Sequence, residues 1–574
     1  VIVLIIGYAK LAFEEVTPIV QKSEKVERGS IVDRLGFPLA VQTNFYHVGV
    51  SVKNIRDNAK LKEKFSKDIA PLLGMDEEYV LSQLSSAKSF LYLKKKIDQN
   101  SYEQLKQMTD EKGYNFVSYE QIAGRNYPNH ALASQLIGFM GDDGKGLAGI
   151  EFSMQDILSP KENQEKNQDE SEKSENSLEN LRGRNIYLTI DANLQYKLEQ
   201  IAQKTMQETQ AEAMMLVAAD SQTGEILSYI SYPSADLNDY GNASENAKID
   251  RPAMEAYEPG SVFKIFTVGI VYDERGISPN ETFICDGLYE KKLSSGETIK
   301  IKCLEHHGKG TAKDALRFSC NDMIGQISDK ISEERFVERI KELGFGKKTE
   351  VELPGETFGS VKDSTSPFWS ARSKPTIAIG QEIQVSALQM VQAATAIANG
   401  GVPVKLTFIH KITNKDGSVY YEHSKEYKDR VFSKTTADYV LSCMETTAKT
   451  GTGSRANLRD VDIGVKTGTA QIYDQKTKSY SDTDFLSSCM AIFPVDNPEI
   501  ILYIVVEKAK GETYGGRIVA PVIGEAADII IDHLGMSRGG AASLEHTGVI
   551  TFSQNQVLKI GSTVPDFTGK SKKE

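Results

Sequence analysis

Three short segments, far apart in the chain, carry complementary chemical groups, and any fold that uses them must bring them together. They are Ser261–Lys264 (Ser-Val-Phe-Lys), Ser319–Asn321 (Ser-Cys-Asn) and Lys466–Ala470 (Lys-Thr-Gly-Thr-Ala). The first supplies a hydroxyl nucleophile with a lysine one helical turn away, the second a further hydroxyl and an amide, and the third a lysine with hydroxyls. Because long stretches separate them, the fold has to close large loops to form one site.

The first segment has the local context of a nucleophile. Residues 258–260 (Glu-Pro-Gly) predict a turn, and the apolar run 262–272 predicts a helix that begins at Ser261. A helix N-terminus favours a developing anion. Lys264 lies on the same helical face, where burial can lower its pKa until it serves as a base in contact with the hydroxyl. The same Ser-x-x-Lys spacing at Ser85 lies in a polar stretch without such a turn.

The sequence Lys-Thr-Gly occurs twice, beginning at Lys449 and at Lys466. Residues 436–444, before the first copy, have helical periodicity, so Gly451 predicts the end of a helix. Residues 461–465, before the second copy, alternate as a strand does. We therefore expect the second copy to face the cleft from a strand.

The Ser-Cys-Asn segment lies between two stretches of helical character, 311–316 and 322–324. Alone it would predict an ordinary connection between helices. Because it follows the nucleophile segment and precedes the Lys466 strand, we interpret Ser319 and Asn321 as the second catalytic element.

These motifs, in this order, resemble those of class B penicillin-binding proteins, which are peptidoglycan D,D-transpeptidases. The likeness covers nearly the whole chain. Further segments that resemble family signatures are 27–36, 38–40, 125–128, 138–151, 220–224, 380–390 and 564–571. Leu35 stands where the family usually has asparagine. The resemblance implies a multidomain α+β protein: a penicillin-binding transpeptidase domain, whose mixed, largely antiparallel sheet is flanked by helices, and an N-terminal β-rich pedestal.

The resemblance also implies roles for the motif residues. Catalytic roles fall to Ser261, Lys264, Ser319, Asn321 and Lys466. Substrate binding falls to Thr467, Gly468 and Thr469. The implied substrate is a peptidoglycan stem peptide ending in D-Ala-D-Ala, cross-linked through an acyl-enzyme on Ser261 during cell division or spore cortex synthesis. β-Lactams would acylate the same serine.

Composition and the resemblance divide the chain into intervals. Residues 1–13 are apolar but shorter than the roughly 20 residues that cross a bilayer, and we interpret them as the remnant of a transmembrane anchor; a buried strand is the alternative. Residues 14–184 are the predicted pedestal and dimerisation domain, within which the polar stretch 159–180 is a predicted mobile loop. Residues 185–540 are the predicted transpeptidase domain, and 545–574 the start of a truncated PASTA module.

An N-terminal anchor makes this a single-pass protein of the cell membrane, with its catalytic domain outside the cytoplasm. The implied partners are stem peptides, β-lactams, the membrane, and a glycosyltransferase or another division-complex protein. The formal net charge of -12 argues against nucleic acid, and the sequence has no glycine-rich phosphate loop.

Five cysteines raise the question of a metal. Cys285, Cys303 and His306 are candidate ligands of a structural zinc ion, and Asp286 or Cys320 could complete the shell. A disulfide between Cys285 and Cys303, or buried free thiols, are the alternatives. The acyl-transfer chemistry itself requires no cofactor.

Three other functions share parts of this pattern. A D,D-carboxypeptidase would use the same residues and differ in its products. A β-lactamase would hydrolyse its acyl-enzyme rapidly, and the large pedestal argues against that. A non-catalytic cell-wall scaffold would not need the intact set of motifs.

Overall fold

The computed structural model describes residues 27–141, 143–159, 183–293, 296, 298–474 and 478–538. The predicted anchor remnant (1–13), the predicted PASTA start (545–574) and all but the first residue of the predicted mobile loop (159–180) lie outside these ranges. Among the helices in these ranges, none combines the length and the apolar character that crossing a bilayer requires.

The strands form one seven-stranded sheet, one five-stranded sheet and three two-stranded ribbons within the described ranges. In chain order they are β1 (Ile31–Val32), β2 (Pro38–Val50), β3 (Leu91–Ile97), β4 (Val117–Asn126), β5 (Asn185–Leu188), β6 (Ala213–Asp220), β7 (Ile226–Tyr232), β8 (Thr282–Cys285), β9 (Leu288–Lys292), β10 (Thr298–Lys302), β11 (Gly308–Thr311), β12 (Ser360–Val361), β13 (Ile383–Gln384), β14 (Ile409–Thr413), β15 (Val419–Glu422), β16 (Gly464–Asp474), β17 (Ser479–Phe493) and β18 (Ile500–Glu507).

The α-helices pack around these sheets. In chain order they are α1 (Ala59–Leu73), α2 (Glu77–Ser86), α3 (Gln99–Glu111), α4 (Ser134–Ile137), α5 (Gly149–Ser153), α6 (Gln155–Leu158), α7 (Ala192–Thr209), α8 (Arg251–Met254), α9 (Lys264–Asp273), α10 (Ala312–Arg317), α11 (Asn321–Ser328), α12 (Glu333–Glu342), α13 (Ser373–Ala378), α14 (Ala387–Ala398), α15 (Lys434–Thr450), α16 (Gly515–Ile518) and α17 (Ala520–Leu534).

The five-stranded sheet has the order β16-β17-β18-β6-β7, and all neighbours are antiparallel. Alternate residues of β6 enter two different cores. Met215 and Val217 join the core that contains α9 and α14, whereas Met214 and Leu216 join the core that contains α7 and α17. Helices therefore cover both faces, which explains why the strands are continuously apolar. The predicted antiparallel sheet flanked by helices is confirmed.

Helix α9 carries the predicted nucleophile segment into the centre of the protein. Every residue from Lys264 to Val271 is buried. A helix that is apolar all round needs neighbours on every side, and α9 packs against α11, α12 and α15. Its position is therefore fixed by the core rather than by the surface.

The seven-stranded sheet joins distant parts of the chain. Its order is β15-β14-β5-β1-β2-β3, with β4 paired to β2. Strand β1 pairs in parallel with β5, and β5 pairs with β14. The predicted pedestal thus shares a sheet with strands that follow residue 184, and the predicted domain boundaries stay a prediction. The β-rich N-terminal region itself is confirmed.

Three of the family-like N-terminal segments meet in a buried ion cluster. Glu151 is fully buried, and its carboxylate accepts from Arg28 Nε at 2.8 Å and from Arg125 Nε at 2.5 Å. Arg125 Nη1 also donates to the backbone oxygen of Gly29 at 2.7 Å. Because a buried carboxylate without partners is costly, these contacts tie the start of the described chain to α5.

Candidate active site

The three predicted motifs meet at the hydroxyl of Ser319. Lys466 Nζ donates to Ser319 Oγ at 3.0 Å. Lys264 Nζ lies 3.4 Å from the same oxygen, donates to the Ser319 backbone oxygen at 2.7 Å and donates to Asn321 Oδ1 at 2.6 Å. The folded chain therefore gathers residues from α9, the α10–α11 connection and β16 into one cluster.

Ser261 lies beside this cluster on a tight turn. It belongs to the 3₁₀ turn Gly260–Phe263, which leads directly into α9. Gly260 has φ of +55° and donates its N–H to the Gly380 oxygen at 2.9 Å. A side chain on Gly260 would lie 3.0 Å from the Cβ of Ala470, the last residue of the Lys466 motif. Ser261 is thus held at the edge of β16, half-buried, at a helix start as predicted.

The amine of Lys264 has different partners from those that the sequence predicts. The sequence predicts contact with the Ser261 hydroxyl, yet within the described residues that hydroxyl makes no hydrogen bond. A fully buried ammonium or amine needs several acceptors, and Ser319 and Asn321 supply them. Lys264 nevertheless follows Ser261 by three residues, and in a 3₁₀ turn this spacing places both side chains on the same face of the turn.

Burial lowers the pKa of both lysines. Desolvation lowers the pKa of Lys264 to about 8. Desolvation, followed by the nearby charge of Lys264, lowers the pKa of Lys466 well below its ordinary value. Two buried amines that share one hydroxyl cannot both be charged without repulsion. The site therefore holds an amine that can be neutral near physiological pH.

Ser319 adopts a conformation that sequence patterns do not reveal. Its φ is +56°, in the left-handed region that non-glycine residues rarely occupy. It ends α10, where its N–H donates to Leu316 and the N–H of Cys320 donates to Ala315. This turn allows the backbone oxygen of Ser319 to accept from Lys264. The strain is of the kind found at functional sites.

Strand β16 presents the third motif. Thr469 Oγ1 accepts from the N–H of Gly515 at 3.0 Å, and Lys466 Nζ donates to the Thr467 oxygen at 2.7 Å. A side chain on Gly468 would lie 2.6 Å from Ser488 Oγ and 3.0 Å from a methyl group of Val262, so it would displace its neighbours. The other Lys-Thr-Gly copy is confirmed as a helix end, because α15 stops at Thr450.

One residue near that helix end was missed by the sequence analysis. Thr452 Oγ1 lies 2.7 Å from Thr467 Oγ1. The Lys449 copy ends a helix, and the residue that follows it, Thr452, contacts the second copy. The only sequence signal for this residue is that Thr452 directly follows a Lys-Thr-Gly sequence, as Thr469 does in the second copy.

A cavity of about 440 Å³ adjoins the nucleophile turn. Its wall includes Glu258, Glu382, Ala470 and Gln471. Glu258 accepts from Tyr480 Oη at 3.1 Å, and burial raises the pKa of its carboxyl. The volume falls within the range of ordinary ligand pockets.

The cysteine-rich region forms a compact cluster next to Ser319. Its possible metal-ligating atoms belong to Cys285, Cys303, His307 and Cys320, and all lie within 4.8 Å of one another. His307 Nδ1 is 3.5 Å from Cys285 Sγ and 3.6 Å from Cys303 Sγ, and the two sulfurs of Cys303 and Cys320 are 3.6 Å apart. All five cysteines are free, which excludes the predicted alternative of a disulfide in this structure.

The structure places His307, rather than the predicted candidate His306, beside the thiols. The ring of His306 lies against Gly287 instead. Gly308 pairs with Cys285 in the β8–β11 ribbon, so the preceding residue, His307, is carried to the thiols. Adjacent residues in extended chain point to opposite sides, which turns His306 away.

The hydrogen bonds within the cluster favour a thiolate. Cys320 caps α11, and its sulfur accepts from the Met323 N–H at 3.3 Å. The sulfur-to-sulfur contact with Cys320 lowers the pKa of the Cys303 thiol. Thiolates and neutral imidazole are the ligands that zinc prefers in structural sites.

Two family models match this chain. The model described as the penicillin binding protein transpeptidase domain matches residues 214–528. The model described as the penicillin-binding protein dimerisation domain matches residues 23–188. The first match includes all three motifs.

Curated relatives align over most of their length. Stage V sporulation protein D of Bacillus subtilis is 28% identical over 529 residues, covering 89% of this chain and 79% of the relative. The probable peptidoglycan D,D-transpeptidase PenA of Neisseria gonorrhoeae is 26% identical over 505 residues, covering 86% and 82%.

Solved structures share the fold. Penicillin binding protein 3 from Mycobacterium tuberculosis, complexed with aztreonam, superimposes with a TM-score of 0.69 at 23% identity, covering 90% of this chain and 98% of that one. Penicillin Binding Protein 2X from Streptococcus thermophilus gives a TM-score of 0.70 at 22% identity, covering 91% and 80%.

Proposed function

This chain belongs to the penicillin-binding proteins with a transpeptidase domain, and we propose that it is a serine-type D,D-transpeptidase that cross-links peptidoglycan stem peptides. One observation carries the proposal: two buried lysine amines lie 3.0 and 3.4 Å from the hydroxyl of Ser319, beside the turn that holds Ser261. The name of one relative, the probable peptidoglycan D,D-transpeptidase PenA of Neisseria gonorrhoeae, supports the same reaction.

Acylation begins at Ser261. Its oxygen attacks the carbonyl of the penultimate D-Ala, and Lys264 takes the hydroxyl proton. The lowered pKa of Lys264 supports this role because its neutral form is accessible. The backbone N–H groups of Ser261 and Thr469 hold the oxyanion, each worth about 3 kcal/mol.

The departing D-Ala needs a proton on its nitrogen. Ser319 relays that proton from Lys264, and the contacts of both amines with this residue support the relay. The peptide bond breaks, D-Ala leaves as an amine, and the acyl group stays on Ser261 as an ester.

Substrate contacts fall to the flanking residues. Asn321 binds the peptide amide, Lys466 keeps the site positive, and Thr467 and Thr469 bind the terminal carboxylate. Gly468 leaves room for the side chains of Ser488 and Val262. The amine of a neighbouring stem peptide then attacks the ester, forms the cross-link and returns the proton to Ser261.

A fluorescent penicillin tests the assignment of the nucleophile. The wild-type protein becomes covalently labelled, Ser261→Ala does not, and Ser85→Ala labels normally because Ser85 lies on the exposed helix α2. Absence of label on the wild type, or label that maps to another serine, contradicts the proposal. A dead scaffold would also remain unlabelled.

Product analysis separates the related reactions. Incubation with a stem pentapeptide and an amine acceptor yields cross-linked product from a transpeptidase and only tetrapeptide from a D,D-carboxypeptidase. A β-lactamase would release its penicilloyl group within seconds, so a label that lasts for hours excludes that reaction.

We also propose a location and partners. Residues before the pedestal anchor the protein in the cell membrane, and the catalytic domain acts outside the cytoplasm, where cross-linking takes place. A glycosyltransferase or another division-complex protein supplies or orders the glycan strands. Membrane fractionation, and protease digestion of intact spheroplasts, test the topology.

The cysteine cluster fits a structural zinc ion, held by Cys285, Cys303, His307 and Cys320. A tetrahedron with zinc–sulfur bonds of about 2.3 Å needs ligand atoms roughly 3.7 Å apart. The contacts of 3.5 and 3.6 Å support this donor set. When bound, zinc supplies no step of the acyl transfer; it braces the segment that carries Ser319.

A further inference from the structure

Thr452 makes a hydroxyl contact to the Lys466 motif that the proposed mechanism leaves unused. Its Oγ1 lies 2.7 Å from Thr467 Oγ1, the length of a good O–H···O hydrogen bond. Thr467 is 5% exposed, whereas Thr452 lies at the open side of the pair. The nearly buried hydroxyl of Thr467 therefore has a neighbour that determines where its proton points.

The backbone around Thr452 is held in place on both sides. Gly451 and Gly453 both donate their N–H groups to the oxygen of Thr447, near the end of α15. A side chain on Gly453 would lie 2.1 Å from Val465, and one on Gly516 would lie 2.4 Å from the oxygen of Thr452. Only glycine fits at these close approaches, so the hydroxyl of Thr452 is carried by a fixed loop.

The same loop reaches the second motif. The N–H of Thr452 donates to the backbone oxygen of Arg317 at 3.1 Å. Arg317 is the last residue of α10, directly before the strained turn that contains Ser319. One residue thus contacts both the segment that carries Ser319 and the strand that carries Thr467.

We propose that Thr452 is a positioning residue of the subsite for the substrate carboxylate, an inference that rests on the proposed function. A hydroxyl has one proton and two acceptor lone pairs. When Thr452 donates to Thr467, the proton of Thr467 is left to point at the carboxylate. The chain of two hydroxyls ending on an anion is also stronger than a single neutral hydrogen bond.

The test compares acylation by benzylpenicillin with acylation by its methyl ester, in which the carboxylate is neutralised. Thr452→Val removes the hydroxyl and keeps the shape. We expect this variant to lose about tenfold in the second-order acylation rate for the acid and little for the ester. Thr452→Ser restores the acid rate. Thr450→Val, two residues away with its hydroxyl on the Thr446 oxygen, is the matched control.

The ratio of the acid rate to the ester rate does not depend on the fraction of protein that is folded, so a poorly folding variant still gives a result. Equal losses for both compounds in Thr452→Val, or no loss, overturn the inference. In the double variant with Thr467→Val, the two effects on the ratio are expected not to add. If the wild type is not acylated at all, the proposed function fails instead.

Discussion

The Nζ atoms of Lys264 and Lys466 lie 3.4 and 3.0 Å from the hydroxyl oxygen of Ser319. In the sequence, 201 residues separate the two lysines. Both side chains are fully buried. Because two charged amines repel each other at this distance, the protonation states of the two lysines are coupled. The number of protons on the pair therefore determines whether a base is available.

The rate of acylation should rise with pH. Below about pH 8 Lys264 is mostly protonated and cannot accept the Ser261 proton; at pH 7 about a tenth is neutral. We therefore expect the acylation rate with a penicillin to increase from pH 6 and to level off above about pH 8. Lys449→Gln, in the other Lys-Thr-Gly copy, should leave the profile unchanged. A flat profile between pH 6 and 9 would contradict the role of Lys264.

Asn321→Asp should move that profile to higher pH. The new carboxylate would lie where Oδ1 now accepts from Lys264 at 2.6 Å, and a neighbouring negative charge stabilises the ammonium. The midpoint of the acylation profile should increase by about one unit or more. Asn414→Asp, in the turn between β14 and β15 of the seven-stranded sheet, should not shift it. An unchanged midpoint in Asn321→Asp would show that another group controls the profile.

Zinc content and stability should depend on Cys320. Elemental analysis should find about one zinc per chain in the wild type, little in Cys320→Ala, and the wild-type amount in Cys443→Ala, whose thiol is buried elsewhere. Chelation should lower the free energy of unfolding by about 2 kcal/mol or more. If the purified wild-type protein contains no zinc and its melting temperature is the same with and without chelator, the zinc site is ruled out.

Gly380→Ala should impair acylation far more than Gly417→Ala. Both glycines have positive φ, +84° and +89°, so both substitutions introduce backbone strain of about 1–2 kcal/mol. A Cβ on Gly380 would lie 2.0 Å from the oxygen of Gly260, whereas one on Gly417 meets nothing within 4 Å. We expect a loss of more than about tenfold in the acylation rate for the first only. Equal rates would show that the turn at Ser261 tolerates displacement.

Local patterns predicted the elements that hold the motifs. The Pro-Gly turn before Ser261, the helical run after it, and the glycine after α15 each specify structure over a few residues, and the structure contains all three.

Features that depend on long-range register were not accessible to sequence reasoning. The choice between His306 and His307 depends on how β11 aligns with β8, and the contact of Thr452 depends on how α15 approaches β16. The left-handed turn at Ser319 is imposed by buried partners rather than by residue preference.

The pairing of β5 with β1 affects where the chain can be truncated. Cutting the chain at residue 184 would not liberate a self-sufficient catalytic unit, since β5 would lose its partner β1 and expose the backbone of Ile186 and Tyr187 on that edge. An exposed strand edge can pair with another chain. A shortened protein that begins at residue 185 is therefore expected to aggregate unless β1 and β2 are retained or replaced.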